Sequence, residues 1–222
     1  MFVGHIACAL YLRKAFGSMV PVWILVAGVS FCDFLFVIFA LTGVETFTLN
    51  DESIGLHKLR LTYAPISHGL TSCLMMSCAL IMWGLLRMEG KMRSSKVDTS
   101  LIPFALALAV PSHWFCDYIV HDEDLHLGFA HSASYGLGLW RYGLVAPALE
   151  ISMVGLGVYM LYRSEKSWTL QFGALLVAVQ LVTEIVARSP IMVVENQAVL
   201  LLATLAGYSS LLLSAYKITA GK

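Results

Sequence analysis

Charge is scarce in this chain: 13% of its 222 residues are Asp, Glu, Lys or Arg, and the two signs cancel at 14 each. With 59% hydrophobic residues and a mean hydropathy of +0.78, too little polar surface remains to coat a soluble globule, so an integral membrane protein is expected. Zero net charge removes any general attraction to nucleic acid or anionic lipid, and nucleic acid is not expected as a ligand. Cysteine pairs of the CxxC kind are missing. Cys8, Cys32, Cys73, Cys78 and Cys116 all sit in apolar runs as small hydrophobes, so neither a disulfide nor a catalytic thiol is assigned. No basic segment precedes the first apolar stretch and no convincing small-residue cleavage site follows it, so a removable signal peptide is not expected. Internal repeats and low-complexity tracts are absent.

What the chain has is long apolar sequence. Windows of about 20 residues, enough to cross a ~30 Å hydrocarbon layer, fall near 18–42, 64–86, 101–120, 143–162, 168–187 and 197–216. They predict an all-α, polytopic transmembrane helical bundle of about six spans, a single integral membrane domain over 1–222. Short charged or Gly/Pro-containing segments separate the windows, the briefest being RSEKS. Arg13, Lys14, Arg87, Lys91, Arg93, Lys96, Arg163, Lys166, Lys217 and Lys222 fall on one side, and Lys58, Arg60, Arg141 and Arg188 on the other. This bias predicts both termini in the cytoplasm, which for a bacterial chain means the inner membrane. The first sixteen residues, MFVGHIACALYLRKAF, are too short for an ordinary span. They predict an N-terminal partial helix that either dips back into the bundle or lies flat at the interface.

Against this background the ionisable residues stand out. His113, Asp117 and His121 in PSHWFCDYIVH recur every four positions and line one face of a helix. An Asp at the centre of a span costs roughly 2.5 to 3.5 kcal/mol on insertion scales, so the group demands a compensating partner. A metal ion is one; a polar stripe hydrogen-bonded to neighbouring helices is the other. Asp33 in the first window and His68 in the second fall at similar depth, which places candidate ligands on three helices, as bundle-core metal sites are built. Imidazole with carboxylate suits zinc, with Mn or Fe as rivals; Ca or Mg would want mostly oxygen. His5 joins them if the N-terminal segment re-enters, although Arg13 and Lys14, held at the cytoplasmic face, limit its rise.

These residues carry a resemblance. Gly4-His5, Asp33, Ser67-His68-Gly69, then His113-x-x-x-Asp117 with His121, and the Gly136-Leu137-Gly138-Leu139-Trp140 stretch resemble the YdjM-like membrane-bound metal-dependent hydrolases over roughly residues 1–140. Of that family's longer His-Arg-Gly-x-Thr-His-Ser motif only Ser67-His68-Gly69 stands here. The ligand order is also similar to that of zinc-dependent phospholipases C and single-strand nucleases, which hydrolyse phosphodiesters at a trinuclear zinc cluster. That likeness implies His5, Asp33, His68, His113 and Asp117 as ligands of a bridged metal pair, with Asp117 as the bridge and His121, four residues on rather than six, near a third position.

The implied chemistry is hydrolysis by metal-activated water, with a membrane lipid phosphoester as substrate and Asp33 and Asp117 as the catalytic carboxylates. Asp33 serves as a ligand or orients the water, and Ser67 and Ser112 are candidate supports for imidazole rings, or bond within their own helices. Glu150, in the fourth window, is either a further ligand or general acid, or a hydrogen-bond partner of a neighbouring helix. Glu184 and Arg188, four apart, read as an ion pair. Asp122, Glu123 and Asp124 read as solvated loop charge; that loop, with His126 and His131, is otherwise a lid or an accessory metal site. Trp23, Trp83, Trp140, Trp168 and Tyr63 read as interfacial anchors. A transporter or proton relay built on the same His and Asp residues is the alternative to an enzyme, and a scaffold with a decayed site is a third reading. Nothing in the sequence indicates a protein partner.

Overall fold

The structure, a computed structural model, describes residues 1–50, 53–89, 99–129, 132–189 and 197–219. Lys91, Arg93, Lys96, Lys222 and His131 lie outside them. Among the described residues seven α-helices carry the fold: α1 (Val3–Phe16), α2 (Val22–Val29), α3 (Phe31–Leu41), α4 (Leu70–Glu89), α5 (Ile102–Val120), α6 (Val145–Arg188) and α7 (Gln197–Thr219). Two small antiparallel hairpins interrupt the all-α expectation: β1 (Thr46–Leu49) with β2 (Leu59–Tyr63), and β3 (Leu125–His126) with β4 (Ser134–Tyr135). Alternation in TFTL buries Phe47 and turns Thr46 and Thr48 outward, which is why that stretch pairs as a strand.

Every expected apolar window contains a helix, although 64–69 is a turn and the first window is broken at Ser30, but six independent spans do not emerge. α6 and α7 are each long and apolar enough to cross a membrane, and α2 with α3 qualifies only as one span broken by a 44° bend. The apolar part of α4 is shorter, Leu70–Leu86, and α5 carries Pro111, His113 and Asp117, polar or helix-breaking residues that lower its hydropathy. α6 has 44 residues, about 66 Å if straight, and it is not straight. Glu165 leaves helical geometry (φ −137°, ψ 42°), a Cβ placed on Gly173 would meet Val158 at 2.4 Å, and Arg188 donates to the Gly143 carbonyl at 3.2 Å. Residues so far apart in sequence touch only if the helix folds back at Glu165 into an antiparallel pair, which is where RSEKS separates the two windows. Glu165 also receives a two-pronged ion pair from Arg13 (2.8 and 2.9 Å) and the Trp168 indole N–H (2.7 Å).

α1 is the element that positions the site. Val3, Ile6 and Leu10 are buried against α6 and α2, and small residues let the backbones close in: Gly157 abuts Leu10, and Gly28 of α2 abuts Ala109 of α5. α1 therefore packs inside the bundle, against α6, α2 and α5. The eight residues from His5 to Arg13 rise about 12 Å along a helix, enough to carry His5 inward while Arg13 stays at the Glu165 turn. Trp140 and Trp168 are buried rather than interfacial, whereas Trp83 and Tyr63 are exposed.

Candidate metal centre

His5, Asp33, His68, His113, Asp117 and His121 all converge, from α1, α3, the turn before α4, and α5 with its C-cap. Asp117 is the hub. Its Oδ2 lies 3.0 Å from His113 Nε2 and 3.5 Å from His68 Nε2; its Oδ1 lies 3.0 Å from His5 Nε2, 3.9 Å from His121 Nε2, and in contact with the Met1 nitrogen. Asp33 closes the other side, 3.5 Å from His5 Nδ1, 3.6 Å from His68 Nε2 and 3.7 Å from His113 Nδ1. His5 stacks on His113 with ring centroids 3.8 Å apart. The sets His5–Asp33–His113 and His68–His113–Asp117 can each hold a metal ion.

The local folding explains these placements. The break between α2 and α3 leaves the Val29 carbonyl at a helix end, where it accepts a hydrogen bond from His113 Nδ1 at 2.8 Å. The same break starts α3, whose first turn carries Asp33 where the helix dipole favours a carboxylate. His68 sits on a tight turn at Gly69, where any Cβ would lie 2.1 Å from the Pro65 carbonyl oxygen. Gly136 packs its backbone on the His121 and Asp122 carbonyls with no room for a Cβ, while Leu137 and Gly138 donate to the Tyr118 and His121 carbonyls. The GLGLW stretch thus caps α5 and lays Trp140 on the His121 ring, centroids 4.4 Å apart.

Hydrogen bonding on the far side of each ring fixes its tautomer. A carbonyl only accepts, so His113 carries a proton on Nδ1, which in the neutral ring leaves Nε2 as an acceptor. Ser67 gives its hydroxyl proton to Glu45 Oε2, so its oxygen accepts from His68 Nδ1 at 2.8 Å, and His68 Nε2 is bare as well. His121 Nδ1 faces Asp124 Oδ1 at 3.1 Å, which again leaves Nε2 toward Asp117. Three acceptors, His68 Nε2, His113 Nε2 and Asp117 Oδ2, then face one another at 3.0–3.5 Å. With the rings neutral, lone pairs at that spacing repel unless a cation or a proton lies among them. Two donors on a tetrahedral ion with bonds of ~2.0–2.1 Å stand about 3.3 Å apart, which is the spacing seen. Among the described residues, both His5 nitrogens and Asp33 Oδ2 are buried without a well-formed hydrogen bond, although His5 Nε2 lies 3.0 Å from Asp117 Oδ1 and His5 Nδ1 lies 3.5 Å from Asp33 Oδ2, an arrangement that fits ligands aimed at a shared ion.

The supporting residues include several that the sequence reading missed or misread. Glu45, fully buried after α3, accepts from the Ile66 and Ser67 backbone (2.7 and 2.9 Å) and from the Ser67 hydroxyl, locking the His68 turn. Asp124 is buried, not solvated, and ties His121 to the Leu61 N–H of β2 at 2.8 Å. Asp122 bonds His57 and Arg141; burial raises its carboxyl, but those two hydrogen bonds outweigh it and hold the group below its ordinary value. Glu150 Oε2 accepts from the Phe2 and Gly4 backbone at 2.9 Å, so it caps α1 and seats His5. Ser112 bonds the Ala109 carbonyl of its own helix, and Glu184 pairs with Arg188 at 3.1 Å.

Asp33, His68, Asp117 and His121 line a cavity of about 120 Å³. Its walls are apolar, with Phe36, Phe47, Leu200, Leu201 and Trp140 among them, and Lys58 is the cationic side chain on its lining. No family model matches this chain, and no curated protein or solved structure is significantly similar to it.

Proposed function

We propose that the chain is a membrane-embedded, metal-dependent hydrolase of the YdjM-like kind, acting on a lipid phosphoester. The observation that carries this reading is the mutual facing of His68 Nε2, His113 Nε2 and Asp117 Oδ2, with the Nδ1 of both rings already engaged by Ser67 and by the Val29 carbonyl. Zinc suits the donor set best, with Mn or Fe as rivals. When bound, such ions supply a water acidic enough to serve as hydroxide near neutral pH and positive charge against phosphoryl oxygens. The two Asp117 oxygens face different nitrogen sets, which suits a carboxylate shared between two ions. Asp33, on the cavity lining, would serve as a ligand or take a proton from a water in the cavity. The apolar walls suit an acyl chain and Lys58 an anionic head group.

The six helical windows and the Lys/Arg bias support a multi-span bundle with both termini cytoplasmic. A proton relay is the second reading, because a proton on His113 Nε2 also reconciles it with Asp117. It leaves His68 Nε2 facing that position at 3.4 Å with no role, and for that reason the metal is preferred. The test is phosphate or head-group release from phospholipid vesicles by detergent-purified protein, stripped with chelator and reloaded with zinc. Turnover that returns with zinc and is lost in Asp33→Asn supports the hydrolase; metal-loaded protein that releases nothing from any phospholipid overturns it.

A further inference from the structure

We infer that the chain carries two oxidative modification sites, at which Cys8 joins Cys116 and Cys32 joins Cys73 as disulfides under a hydroperoxide. All five cysteines are free thiols, yet four of them stand in two contact pairs: Cys8 Sγ lies 3.4 Å from Cys116 Sγ, and Cys32 Sγ lies 3.8 Å from Cys73 Sγ. Each pair joins different elements, α1 to α5 and α3 to α4. A disulfide needs its sulfurs at about 2.05 Å, so each pair must close by less than two ångströms.

Their positions tie them to the metal centre. Cys8 follows His5 by one helical turn, Cys116 and Cys32 immediately precede Asp117 and Asp33, and Cys73 lies in the first turn of α4, five residues after His68. Each link would therefore brace two ligand-bearing segments against each other.

The step balances with a hydroperoxide as oxidant. One thiolate attacks the peroxide oxygen, the O–O bond breaks, and the sulfur becomes a sulfenic acid while the leaving oxygen takes a proton as alcohol or water. The second thiol displaces water from the sulfenic acid, forming the S–S bond; two thiols lose two electrons and the peroxide gains them. Cys8 is only half-buried, whereas Cys32 and Cys73 are both buried, so the Cys8–Cys116 pair forms first. Cys78, exposed and outside both pairs, is the internal control.

The experiment treats the detergent-purified full chain with hydrogen peroxide, then unfolds it, labels it with a maleimide and maps the peptides by mass spectrometry. The expected result is loss of four of the five labelling sites in two steps of two, with Cys8–Cys116 and then Cys32–Cys73 peptides linked. In Cys116→Ser only the Cys32–Cys73 link should form. Five labelled cysteines, or sulfinic and sulfonic acids without linked peptides, would overturn the inference. Bracing of the centre rests on the metal reading and is read separately: oxidised protein should release its metal to a chelator more slowly than reduced protein. Linked peptides in a chain that binds no metal would support the two sites while removing that reading.

Discussion

Replacing Ser67 by alanine isolates what the supporting hydrogen bonds do for the metal centre. The hydroxyl accepts from His68 Nδ1 at 2.8 Å and donates to the buried Glu45 carboxylate. Without it, His68 Nδ1 loses its acceptor, the Nε2 tautomer is no longer fixed, and Glu45 keeps only the Ile66 and Ser67 backbone donors. Outer partners of this kind typically change metal affinity by 10- to 100-fold, about 1.4 to 2.7 kcal/mol. Ser112→Ala is the matched control, because its hydroxyl bonds the Ala109 carbonyl of its own helix. Competition against a graded series of chelators, with folding checked by circular dichroism, measures both. Ser67→Ala should bind 10- to 100-fold more weakly than wild type, and Ser112→Ala should match wild type. Equal affinities for the two variants would refute the claim that the Glu45–Ser67–His68 chain orients a ligand.

Gly69→Ala should destabilise the fold by about 1 to 3 kcal/mol or shift the His68 turn, since the new methyl would lie 2.1 Å from a backbone oxygen; a thermal melt showing no loss would contradict that packing. Glu150→Gln keeps the size but weakens the cap on α1, so hydrogen exchange should rise at residues 2–6 and not in α5; unchanged exchange there would remove its seating role. The folded Asp122 carboxyl is held below its ordinary value of 3.8, so its contribution is present above that pH and is lost as the pH falls through the lowered value. Proteolysis of the β1–β2 hairpin should accelerate on acidification below about pH 4, and Asp122→Asn should be susceptible already at neutral pH. Arg13→Lys cannot reproduce the two-pronged contact with Glu165 and should lower stability by roughly 1 kcal/mol, measured by denaturant titration in detergent.

The inner ligands were legible because their signal is local or physically costly. His113 and Asp117 share a face of α5 as their spacing predicts, His121 follows as its C-cap, and Asp33 and His68 stand out as ionisable groups in apolar sequence. The surrounding shell was not, because it is assembled by chain reversals that leave no period. Glu45 looks like an ordinary loop acid until the turn at Ser67-His68-Gly69 closes over it, and Asp124 looks solvated until β2 brings the Leu61 N–H onto it. Trp140 reads as an interfacial anchor, yet the glycines at 136 and 138 fold it onto His121. RSEKS marked the reversal inside α6 because charge interrupts an apolar run there, whereas the bend between α2 and α3 falls at Ser30 in unbroken apolar sequence and had no such marker. The thiol pairs, too, depend on contacts between elements that spacing does not encode.

The most direct test of the central claim is the metal content of protein purified without chelator, by elemental mass spectrometry, for wild type, His113→Ala and Asp117→Ala. Bound zinc, Mn or Fe at one or more per chain in wild type, lost in both variants that remain folded, is the predicted result. Wild-type protein that is folded and metal-free, even after incubation with zinc, would contradict it.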